Sequence, residues 1–333
     1  MAVEAAQEEP PRAFLVAREG ALETSDFYDL RRLFYFKKTV EMLDPKGAAK
    51  VLLLDSTMSP EFKRFGVLSG SFNPPTMAHI DLAARATKSF QLDHVLFLIS
   101  RITIDKPENE GLATEDRLLL LSLLAQEVGW ASVAVANRGL YFEQATALRS
   151  VWGKTGKIFF IVGMDKVAQI LDPRYYENRE EALVKLFIEA RLIAASRGGS
   201  GESELRELLN RQENENYADR VYFLPMPDQM KGLASSVVRA GIERGDIPVD
   251  ELPDVVRRFI SETQAYRAGY EMRRRVLDRL YELREWAEEG ADLRKLLALV
   301  NETAGKGQTL RRLLEDPSSS GVELKEFLLA LQS

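Results

Sequence analysis

The sequence contains no cysteine and only two histidines among its 333 residues. Without cysteine there is no disulfide framework and no thiolate metal site, which fits a reducing compartment. Long apolar runs are also missing. The longest, "LLLLSLLA" at 118–125, falls well short of the ~20 residues a membrane span needs and sits inside a helical pattern. The N-terminal "MAVEAAQEEPPRA" is acidic and has no apolar stretch of the secretory kind. Excess positive charge is absent too: a net charge of −6 argues against broad binding to nucleic acid. What remains, 45% hydrophobic and 29% charged residues, is the balance of a globular chain expected in the cytoplasm, long enough for a full-sized core.

From residue 65 a rhythm sets in. Short apolar runs at 65–69, 94–100, 132–136, 158–162, 191–196 and 221–225 read as buried strands. Helical patterns at 79–89, 115–127, 143–152, 179–189 and 202–212 separate them. That alternation predicts an α/β fold with a parallel sheet covered on both faces, whose ligands bind beyond the carboxyl ends of its strands. Before it lie residues 1–60: a polar Ala-, Glu- and Pro-rich tail, then a helix over 25–43 with Ser25 as its cap. "KVLLLD" at 50–55 fits a short strand or a loop equally. After the alternating region, 61–262, the chain reads as a helical extension, 263–333, opened by one long amphipathic helix. "RRR" at 273–275 shares that helix with Asp278, Glu282, Glu285, Glu288 and Glu289, so a solvated amphipathic face is expected rather than a nucleic-acid contact.

Two stretches carry chemistry. In "GVLSGSFNPPTMAHIDLA" at 66–83, an apolar strand runs into a small-residue turn with two prolines, and a helix follows near Thr76. Gly70 allows close backbone approach, the N–H groups at the helix start form an anion site, and His79 in the first turn can donate to a phosphate oxygen. In "ASSVVRAGIERGD" at 234–246, Ser235 and Ser236 open a helix after the last strand, and Arg239 lies one turn on, where it faces the same way. Two glycine-bearing segments fail as phosphate loops. "GKGQT" at 305–309 lacks the Walker spacing, and "RGGSG" at 197–201 lacks the third glycine of a dinucleotide fingerprint. His94 begins a buried strand and reads as structural.

"GSFNPPTMAH" resembles the G-x-F-x-P-x-[HT]-x-x-H signature of the HxGH nucleotidyltransferases, with Gly70, Phe72, Pro74, Thr76 and His79 at the signature positions and Ala78 where glycine is commonest. Ser235, Ser236 and Arg239 are similar to that superfamily's second motif, I-S-S-T-x-I-R. Within it, "FFIVGMDKVAQILDPRYYE" at 159–177 resembles the G-x-D segment of nicotinate and nicotinamide mononucleotide adenylyltransferases.

The resemblance spans roughly residues 64–262 and implies a Rossmann-like nucleotidyltransferase domain that moves AMP from ATP to a pyridine mononucleotide, releasing pyrophosphate, in NAD biosynthesis. It implies His79, Thr76 and Arg239 as catalytic residues, and Gly70, Ser71, Phe72, Lys106, Ser235 and Ser236 at the ATP phosphates. Gly163, Asp165 and Tyr175 are implied for the ribose and pyridine, with Tyr176 the alternative aromatic, and Arg117 on the helix after Lys106. No protein-built metal site is implied; Mg²⁺ comes with the substrate phosphates. Pantetheine-phosphate or cytidylyl transfer, and a nucleotide-binding scaffold whose C-terminal helices recruit a partner or a second copy, stand as alternatives. The acid and amide forms of the pyridine are not distinguished.

Overall fold

The computed structural model describes Phe27 and residues 29–55, 59, 61–102, 111–153, 156–196, 201–227, 235–246, 249–271, 273, 274, 277, 278 and 281. The expected alternation is there. Seven strands form one sheet in the order β1-β4-β3-β2-β5-β6-β7. They are β1 (Val51–Leu53), β2 (Arg64–Ser69), β3 (His94–Ser100), β4 (Ala131–Ala136), β5 (Lys157–Gly163), β6 (Ala190–Ala195) and β7 (Val221–Leu224). All neighbours pair in parallel except β1, which joins β4 antiparallel in register Val51 with Ala136. "KVLLLD" is thus a strand, short and at an edge, which is why its pattern alone left it open.

The helices are α1 (Leu30–Glu41), α2 (Met77–Phe90), α3 (Thr114–Val128), α4 (Tyr141–Trp152), α5 (Met164–Leu171), α6 (Arg179–Glu189), α7 (Gly201–Leu209), α8 (Ser235–Glu243) and α9 (Asp254–Thr263). The cap of α1 is Asp29, whose carboxylate accepts the Arg32 N–H at 3.1 Å, not Ser25, so the helix starts later than its apolar spacing indicates. Arg101, just past β3, donates to the carbonyls of Val40, Glu41 and Leu43 and closes the other end of α1.

From β2 the chain steps through β3 and β4 on one side, then crosses back to β5 and continues outward to β7. Right-handed crossovers put the helices of the two directions on opposite faces. Strand residues alternate between the faces with the period of two. Val95, Phe97 and Ile99 join α1, α2 and α3 in one cluster, while Leu96 and Leu98 join α4 to α7 in the other. α3 serves two clusters at once. Leu118, Leu119 and Leu121 face the sheet, whereas Leu120 and Leu124 pack with Val238 of α8 and with Val256, Phe259 and Ile260 of α9. This accounts for the run "LLLLSLLA": a helix apolar all round is a buried helix. Among the described residues no helix is long and apolar enough to cross a membrane.

His94 is structural, as its strand position predicts. It is buried, its Nε2 lies 2.6 Å from Ser132 Oγ, and the Phe62 ring stacks on it at 5.0 Å. Burial lowers its pKa below the ordinary 6.5. A base held neutral in the fold but free to protonate when unfolded contributes stability above pH 6.5 that is lost as the pH falls through and below it. Denaturant midpoints measured between pH 7.5 and 5 are therefore expected to fall, and His94→Gln is expected to flatten that slope; an unchanged slope would remove His94 as its source.

"RRR" departs from its expectation. Arg273 is buried, donating to Asp116 at 2.8 Å and to the Phe27 carbonyl at 2.9 Å. Arg273 thus lies against α3, through the Asp116 ion pair, and against Phe259 of α9, so for Arg273 the solvated-face assignment fails. The helical patterns beyond residue 281, and the "GKGQT" segment, lie outside the described residues.

Candidate active site

β2 ends at Ser69, and the chain then makes the turn carrying the first motif before α2 begins. The left-handed residue of that turn is Phe72, with φ of 46°, rather than Gly70. A non-glycine residue there is unfavourable and persists because its ring is locked: Phe72 is fully buried against Phe97, ring centroids 5.7 Å apart. Gly70 donates its N–H to the Leu98 carbonyl at 3.0 Å and lines the cleft beyond the strand ends. The Phe72 side chain therefore supports the site from beneath, its ring 5.0 Å from that of His79.

Thr76 caps α2 and is fully buried. Its backbone N–H lies 3.0 Å from His79 Nδ1 and its Oγ1 lies 2.8 Å from the same atom. A backbone N–H can only donate, so Nδ1 accepts and the ring proton of the neutral imidazole sits on Nε2. Thr76, expected beside His79 as a phosphate donor, is instead spent on fixing the tautomer and angle of that ring.

The second motif docks on the first. Ser235 Oγ donates to the Pro74 carbonyl at 2.9 Å, and Arg239 Nη1 donates to the Asn73 carbonyl at 3.0 Å. Ser236, in the first turn of α8, is exposed. The helix N-termini of α2 and α8, an imidazole and a guanidinium thus converge on one loop, an arrangement suited to a polyanion. Arg117 is likewise half-buried rather than solvated. It donates to the Ser71 carbonyl at 3.0 Å and to Thr114 Oγ1 at 2.7 Å, and burial lowers its pKa. Lys106 lies outside the described residues.

Beside this loop opens a cleft of about 760 Å³, its mouth included. Its walls are the β2 end with Gly70 and Ser71, the β3 end with Ser100, and α5 with the following 3-10 turn, Pro173–Tyr175. Tyr175 lines it as expected, and so does Tyr176, whose hydroxyl donates to the Ile170 carbonyl at 2.7 Å and whose pKa burial pushes up to about 12. Gly163 caps α5, and Asp165 is an exposed residue of its first turn. From α5 the lining residues are Lys166, Gln169 and Ile170, with Asp165 outside the wall. Lys166 and Gln169 escaped the sequence because they belong to no motif; their only signal is the helical step from Asp165.

Residues 67–240 match the cytidylyltransferase-like family. The chain belongs to that family. The match begins in β2 and ends just past Arg239, so both motifs lie inside the cytidylyltransferase-like domain, while α1 and everything from α9 onward lie outside it. Among curated proteins the chain is similar to a putative nicotinamide mononucleotide adenylyltransferase of Schizosaccharomyces pombe, 24% identical over 248 residues that cover 69% of this chain and 98% of that protein. It is also similar to a probable nicotinate-nucleotide adenylyltransferase of Citrifermentans bemidjiense, 28% identical over 220 residues, covering 61% and 98%. Among solved structures, Plasmodium falciparum nicotinic acid mononucleotide adenylyltransferase complexed with NaAD aligns over 61% of this chain and 97% of that one, at 16% identity and a TM-score of 0.47.

Proposed function

We propose that the protein is an adenylyltransferase that transfers AMP from ATP to nicotinate or nicotinamide mononucleotide, releasing pyrophosphate, in NAD biosynthesis. The observation that carries this is the docking of the second motif on the first, Ser235 on Pro74 and Arg239 on Asn73, over a loop whose His79 is held in one tautomer. The names of the similar curated proteins agree with it.

In this mechanism a phosphate oxygen of the mononucleotide attacks the α-phosphorus of ATP. A new P–O bond forms there as the bond to the β-phosphate bridging oxygen breaks, and pyrophosphate leaves with that electron pair. The attacking oxygen is already anionic, so no general base is needed, and catalysis consists of alignment and charge neutralisation. His79 donates from Nε2 to an α-phosphate oxygen. Arg239, the Ser236 hydroxyl and the backbone N–H groups that Ser235 and Ser236 present at the N-terminus of α8 hold the departing phosphates. Gly70 and Ser71 offer backbone to the nucleotide, with Lys106 assisting, while Gly163, Asp165 and Tyr175 serve the ribose and pyridine. The donors around the loop are hydroxyls, N–H groups, an imidazole and a guanidinium, a set that suits phosphate and not a divalent cation; Mg²⁺ therefore belongs to the substrate as MgATP.

Label position tests the reaction class. With ATP labelled at the α-phosphorus, the label is expected in the dinucleotide product, and with γ-labelled ATP it is expected in pyrophosphate. Label from the γ position in the product would mean phosphoryl transfer and would overturn the proposal.

A further inference from the structure

Asn73, between the two signature residues Phe72 and Pro74, is where four segments of the chain meet. Its carbonyl accepts from Arg239 of α8. Its side-chain Oδ1 accepts the Leu112 N–H at 3.0 Å and the Tyr266 hydroxyl at 2.8 Å. The backbone before α3 can come this close only because residue 111 is glycine: φ is +88°, and a Cβ there would fall 2.5 Å from the Asn73 amide.

Tyr266 reaches the loop from outside the family match, across a turn that closes α9 with two left-handed non-glycine residues, Gln264 at φ 55° and Tyr266 at φ 64°. Such backbone is disfavoured and survives where tertiary contacts hold it. The holding contacts follow directly. Tyr270 donates to Asp116 at 2.6 Å and accepts the Ala113 N–H at 2.8 Å, and Arg273 pairs with the same carboxylate. Burial keeps the Tyr266 hydroxyl protonated, so it remains a donor across the physiological range.

We propose that Tyr266 is a positioning residue for the phosphate loop: its hydroxyl fixes the Asn73 side chain, and through the Asn73 backbone it sets the Arg239 guanidinium and the approach to Thr76 and His79. This rests on the adenylyl-transfer function proposed above. It gives the segment after α9 a catalytic purpose, since without it Asn73 Oδ1 keeps the Leu112 bond but loses the second of these two donors. Tyr270, four residues on, is by contrast a structural anchor.

The test measures pyrophosphate release at saturating MgATP and pyridine mononucleotide with the full chain. Tyr266→Phe is expected to lower kcat about tenfold, with KM for MgATP changed less than about twofold and the melting temperature nearly unchanged. Tyr270→Phe is expected to lower the melting temperature and to lower kcat clearly less than Tyr266→Phe does. If Tyr266 acts through Asn73, Asn73→Ala/Tyr266→Phe is no slower than Asn73→Ala alone. Wild-type kcat in Tyr266→Phe, a Tyr266→Phe loss that multiplies in full on Asn73→Ala, an equal kcat loss in Tyr270→Phe, or a Tyr266→Phe chain that does not fold would each overturn the proposal. A wild-type chain without turnover would overturn the function itself, and the proposal with it.

Discussion

His79→Ala is expected to lower turnover by about 10²–10³-fold while the fold survives, because the ring's role is to donate one preorganised hydrogen bond where charge builds. The side chain sits on the first turn of α2 and is half-buried; its loss removes the ring's half of the capping pair with Thr76, while α2 keeps its core contacts through Ala83 and Ala86. Removing the ring is thus a local loss. His79→Gln, whose amide N–H reaches roughly the height of Nε2, is expected to fall between wild type and alanine. Steady-state rates with circular dichroism on the same preparations separate the two contributions. An alanine variant with wild-type kcat would take His79 out of the mechanism.

The largest stability effect is expected at Arg273. Its pair with Asp116 is almost fully enclosed, the two side chains 6% and 1% exposed. Leaving one member of a buried pair alone costs about 3–5 kcal/mol, far more than any surface ion pair, because the remaining charge loses water without gaining a partner. Arg273→Met also forfeits the bond to the Phe27 carbonyl and the cation–π contact with the Phe259 ring, centred 5.5 Å from the guanidinium. A drop of roughly 10 °C in melting temperature follows for a domain of this size. Asp116→Leu added to Arg273→Met is expected to recover part of that loss, since the uncompensated carboxylate is then gone. Thermal unfolding of the single and double variants decides it: a single-variant shift under about 2 °C would mean that the pair is solvated.

The strands were legible because a parallel sheet buried on both faces writes continuous apolar runs, and β3, "HVLFLIS", is the plainest of them. The phosphate turn was legible for a different reason: a strand-loop-helix anion site needs small residues, prolines and a cap in fixed order. What sequence could not carry is who partners whom. Thr76 and His79 are a capping pair only once α2 is built. Arg273 on a helix rich in acids looks solvated until its helix is laid across α3, where Asp116 waits at the first turn. Asn73 shows the same limit. Nothing in "SFNPP" predicts a tyrosine arriving from nearly two hundred positions away, and the separation is 193 residues. That Lys166 and Gln169 of α5 line the cleft was not legible either, because a helix rotates its side chains about 100° per residue and no period fixes the phase of so short a helix.

The most direct test of the central claim is pyrophosphate release from MgATP with nicotinate mononucleotide, nicotinamide mononucleotide and phosphopantetheine offered in separate reactions. The account predicts turnover with at least one pyridine mononucleotide and none with phosphopantetheine, the ratio of the two pyridine rates ranking the acid against the amide. Turnover with phosphopantetheine alone, or none with any acceptor from folded protein that binds ATP, would contradict it.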